Sequence, residues 1–112
     1  MNKDPLIQQT ASLVTGPFDL PDTTTVVQEE ELIHILAERI GEMLERQPEQ
    51  LMSLLYRLDV LEEKIGPVMR PDALEPANVG LARLVVERQK QRIMTKKNVK
   101  TQPLEDLDGW EW

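Results

Sequence analysis

EEELIHILAERIGEMLERQPEQLMSLLYRLDVLEEKI, residues 29–65, decides the fold, because most of the chain's regularly spaced apolar side chains fall within it. On a helix turning 100° per residue, Leu32, Ile33, Leu36, Ala37, Ile40, Met43 and Leu44 share one wide face. His34, Glu38, Gly41 and Glu45 lie opposite, so the spacing predicts an amphipathic helix with one buried side. Gln47-Pro48 interrupts it: proline inside a helix removes a donor and clashes with the preceding turn, whereas Pro48 suits the first position of a new helix. The second helix carries Leu51, Leu54, Leu55 and Leu58 on a leucine face, with Met52 and Tyr56 on its flank and Ser53 and Arg57 pointing away. Continuing that helix would put Glu62 in the leucine face and Val60 outside it. A break at Asp59 follows, and Asp59 with Glu62 reads as a capping box for a short third helix ended by Gly66-Pro67.

Outward from this stretch, the chain changes character in both directions. Residues 1–28 hold prolines at 5, 17 and 21, a Gly16-Pro17 pair and a run of three threonines. They read as an extended or disordered arm whose short apolar clusters, Leu6-Ile7, Leu13-Val14, Phe18 and Val26-Val27, are able to dock. After Gly66, prolines at 67, 71 and 76 mark a linker that turns the chain back. A last helix is expected from Pro76 or Asn78 toward Lys97, with Val79, Ala82, Val85, Val86 and Ile93 on one face, extended by Leu81 and Leu84. Its second half, where the stripe thins to Ile93 and Met94, is expected to project. The reading is an all-α fold, a small bundle of three to four helices: arm 1–28, helical domain 29–97, acidic tryptophan-bearing tail 98–112.

Composition narrows the function classes. The chain has 112 residues, 40% of them apolar, but one Phe, one Tyr and two Trp, so the interior is aliphatic. A core this small supplies only about 3–5 kcal/mol, which makes an oligomer or a protein partner the expected supplement. Leu32, Leu36, Ile40, Leu51, Leu55, Leu58 and Val85 offer more apolar face than such a bundle covers. There is no cysteine, hence no disulfide or thiol chemistry, and the cytoplasm is the expected compartment. No run of apolar residues is long enough for a membrane span. The lone His34 pairs naturally with Glu38, and Glu29, Glu30 and Glu31 suit a helix start rather than a cation site. With no metal-ligand spacing, phosphate cradle or acid–base pair, no cofactor is expected and the chain reads as no enzyme.

Charge is segregated: residues 1–28 carry −2, 29–87 carry −7, 88–100 carry +6 and 101–112 carry −4, for a net −7. The basic helix end supplies Arg88, Lys90, Arg92, Lys96 and Lys97 as candidate partner-binding residues. The tail TQPLEDLDGWEW supplies Leu104, Leu107, Trp110 and Trp112 among carboxylates. Exposed tryptophans seated in a partner's pocket carry a large share of binding energy. The expected function is a non-enzymatic protein–protein interaction module or accessory subunit. A small nucleic-acid- or ribosome-associated factor using residues 88–100 is the alternative.

LLYRLDVLEEKI (54–65), followed by ARLVVERQK (82–90), resembles short helical bacterial proteins of uncharacterised function. The resemblance spans roughly residues 30–94. It implies a helical unit and no activity.

Overall fold

The computed structural model describes residues 5–101 except 22, 24, 25 and 27, with side chains through 96. Five helices are seen among these residues: α1 (Pro5–Phe18), α2 (Glu29–Arg46), α3 (Pro48–Arg57), α4 (Glu62–Val68) and α5 (Ala77–Thr101). The class is all-α as expected, but the count exceeds the three to four read from the sequence.

The added element is α1, where the sequence reads as an extended arm. Pro5 occupies the first helical position, where its missing N–H costs nothing, and Pro17 lies in the last turn. Gly16, before that proline, has no Cβ to clash with the ring. Between them Ile7, Thr10, Ala11, Val14 and Phe18 form a buried stripe, and the Thr10 hydroxyl donates to the Leu6 carbonyl at 2.7 Å. Leu32, Leu36, Ile40, Leu51, Leu55 and Val85 are consequently sealed inside the chain at 0% exposure, and Leu58 is half-buried. The uncovered apolar face on which self-association was expected is therefore closed.

Helix α5 is the common partner, packing against α1, α2 and α4, while α2 also packs against α1 and α3. Its Leu81, Ala82, Val85 and Val86 enter the core beside Leu32, Ile33, Leu36, Ala37, Ile40 and Met43 of α2. At the start of α2, Glu31 accepts from the Gln28 backbone N–H at 2.9 Å, closing the first turn. Pro48 begins α3 as expected. His34 and Glu38 pair at 3.4 Å on the exposed face.

Two corners use a left-handed residue other than glycine, Asp19 (φ 55) after α1 and Asp59 (φ 64) after α3. At the second, Val60 N–H bonds the Leu55 carbonyl at 3.0 Å and Asp59 N–H the Tyr56 carbonyl at 3.1 Å, while Val60 tucks into the core. This is a Schellman end. Asp59 therefore closes α3 instead of capping α4, whose N-cap is Leu61. Gly66 and Pro67 also fall inside α4 rather than ending it. Pro67 cannot donate to the Glu63 carbonyl, and because Glu63 is exposed, water can take the place of that donor.

The 69–76 connection is fastened by Arg83. Its guanidinium grips both oxygens of Glu75, at 3.0 and 2.8 Å, and reaches Glu30 of α2 at 3.0 Å. The hydrogen bonds from Arg83, aided by its charge, hold the Glu75 carboxyl below its ordinary value of 4.5. Because the folded state binds that proton less tightly, the clamp stabilises fully above the ordinary value and is lost as pH falls through the lowered one. Thermal unfolding between about pH 6 and about pH 3 should therefore show wild type losing more on acidification than Arg83→Gln.

Close helix contact sets opposite expectations for two glycines. A Cβ on Gly80 of α5 would stand 2.9 Å from Val68 Cβ and 3.2 Å from its Cγ1, while one on Gly41 of α2 meets Asn78 Nδ2 at 3.5 Å. Gly80→Ala should lose about 1 kcal/mol net, overpacking outweighing propensity. Gly41→Ala should gain about 0.5–1 kcal/mol. Urea midpoints measure both.

Candidate partner-binding groove

The last carbonyls of a helix need donors, and a cation there also complements the helix dipole. At the C-terminus of α3 those donors come from α5. Gln89, 1% exposed, donates its Nε2 to the Leu58 carbonyl at 2.8 Å. Arg88 Nε donates to the Asp59 carbonyl at 2.9 Å, and Arg92 sits 3.5 Å from the Asp59 carboxylate while donating to Gln89 Oε1 at 3.1 Å. Beyond Val86, then, α5 does not yet project. Its polar side chains pin the α3 corner.

Beside this corner α1, α3 and α5 leave a groove of about 700 Å³. Leu13, Leu58 and Ile93 supply its apolar surface, and Leu13 is 42% exposed. Arg57, Arg88, Arg92 and Lys96 surround them, with Gln89 and Thr95 completing the lining. Among the described residues no carboxylate lines it, in a chain whose net charge is −7. The arrangement suits an apolar side chain flanked by carboxylates: contact area for the first, charge-assisted hydrogen bonds for the second.

The candidate residues distribute unevenly. Arg88, Arg92 and Lys96 converge on the groove. Lys90 is turned elsewhere, paired with Glu29 of α2 at 2.6 Å. Lys97 belongs to the backbone of α5, its side chain outside the described residues, and Leu104, Leu107, Trp110 and Trp112 lie outside them altogether. Leu13, Arg57, Leu58 and Gln89 are added by the structure. The sequence reads Leu13 as part of an arm and Arg57 as pointing away from the leucine face, while nothing in the local pattern tells that Gln89 faces a carbonyl.

Among the described residues no group of three or more His, Cys, Asp or Glu is placed to hold a metal ion, and no helix is long and apolar enough to cross a membrane. Compared with known proteins, the chain matches no family model, no curated protein and no solved structure.

Proposed function

We propose that this protein is a non-enzymatic protein–protein interaction module, an accessory subunit that holds an acidic, apolar segment of its partner in the groove between α1, α3 and α5. One observation carries the reading: three apolar side chains are ringed by four cations, with no carboxylate among the described lining residues. A phosphate backbone would use the cations and leave Leu13, Leu58 and Ile93 idle, so an apolar segment bearing acids fits better than nucleic acid. Arg92 is already paired with the Asp59 carboxylate and Lys90 with that of Glu29, which lowers the charge the basic run offers to phosphate. Rim charges act chiefly on encounter rate and specificity, the apolar floor on dwell time.

The test is affinity purification of the tagged chain beside an Arg57→Glu/Lys96→Glu variant, both positions being exposed. A protein recovered with wild type and lost with the variant is the expected result. Recovery unaffected by the charge reversal removes the groove from consideration. RNA or DNA binding that collapses with salt would put the nucleic-acid reading first.

A further inference from the structure

We propose that the chain's own acidic tail, residues 102–112, docks in this groove, placing tryptophan on the Leu13–Leu58–Ile93 floor and carboxylates against the cationic rim. The inference rests on the groove being a docking site, and adds that the molecule carries its own competitor for it.

Reach comes first. Helix α5 runs through Thr101, and Pro103 two residues later resists its continuation. Ile93 lies eight residues back from Thr101, about 12 Å along the helix axis at 1.5 Å per residue. Trp110 lies nine residues beyond Thr101, so an extended chain carries it up to about 30 Å. Leu107 reaches up to about 20 Å, with slack for the reversal; Leu104, at about 10 Å, falls short of Ile93. The chain is therefore long enough to bring the tryptophans and Leu107 to the floor, but not Leu104.

Charge comes second. Glu105, Asp106, Asp108 and Glu111 give the tail four negative charges, and they would face Arg57, Arg88 and Lys96, with Arg92 shared with Asp59. Carboxylates alternate with Leu107, Trp110 and Trp112, as a groove that is apolar below and cationic above requires. Tethering adds to this: a segment joined to the groove by a few residues is presented at an effective concentration in about the millimolar range, which a separate partner segment must exceed by affinity. The docked tail thus sets a threshold, and a partner gains the groove only by binding it better.

Because both tryptophans of the chain are at 110 and 112, its tryptophan fluorescence reports the tail alone. In the full-length protein the emission is expected at shorter wavelength than that of the free peptide 102–112, at every protein concentration. Arg57→Glu/Lys96→Glu and, separately, Ile93→Asp should return it to the peptide's wavelength while circular dichroism stays helical. Emission in wild type equal to that of the peptide overturns the proposal, and so does a blue shift that both variants leave in place. A blue shift that grows only with concentration also overturns it, since the tail would then be seated in a second copy.

The groove itself is tested apart from the tether. Full-length Trp110→Ala/Trp112→Ala is titrated with the synthetic peptide 102–112, whose own tryptophans report binding. Peptide binding in the absence of a wild-type shift ends the tethered docking and leaves the groove standing as a docking site. No peptide binding and no shift ends the tail as occupant, and the groove's role toward a partner is then decided by the recovery experiment with Arg57→Glu/Lys96→Glu.

Discussion

Phe18→Ala is expected to remove about 3–5 kcal/mol of stability, a large fraction of what a domain of this size possesses, and to leave the chain partly unfolded at room temperature. Phe18 is fully buried, at the end of a helix whose other core contributions, Ile7, Ala11 and Val14, are small or medium-sized. Its own carbonyl accepts from Arg39 Nε of α2 at 2.9 Å, and Asp19 and Leu20 then turn the chain away from the helix. A cavity there is bordered by backbone held from several sides and has little room to collapse. Equilibrium urea unfolding followed by circular dichroism measures the loss. A change below 1 kcal/mol would mean that α1 is not part of the cooperative unit.

Gln89→Ala is expected to lose about 3 kcal/mol, and Gln89→Met, which keeps most of the volume but no donor, about half of that. The difference separates the cavity from the hydrogen bond. In either variant the Leu58 carbonyl loses its Nε2 partner beneath a half-buried leucine, and Arg92 loses the amide oxygen to which it donates. Denaturation midpoints of both variants, with the slope checked for constancy, provide the measurement. Equal losses would assign the whole effect to the hydrogen bond.

What was readable beforehand follows from how each feature is encoded. The faces of α2 and α3 are local periodicities, and the break at Asp59 was forced by Glu62, which stands exposed while Val60 is buried. The role of Asp59 was not readable, since an acid three residues before a glutamate is compatible with an N-cap as well as with a left-handed helix end. Helix α1 was missed because Pro5, Gly16 and Pro17 read as breakers, whereas Pro5 takes the first position, where its missing N–H has no partner to lose, and Pro17 falls only in the final turn behind a glycine. With α1 taken for an arm, Leu13 could not be set against Ile93, so the groove could not be assembled although Arg88, Arg92 and Lys96 were singled out. The partners of the basic run lie 29 to 61 residues away, at Asp59, Leu58 and Glu29, and no sequence period connects them.

The position of α5 also bears on how the molecule is made. Synthesis delivers α1 through α4 before α5, the helix against which α1, α2 and α4 pack. Until Leu81, Val85, Val86 and Gln89 have emerged, the apolar stripes of α1 and α2 have no closing partner and the α3 corner has no donors from outside its own backbone. Until α5 follows, the nascent chain therefore holds these stripes covered only as far as α1 and α3 reach over α2.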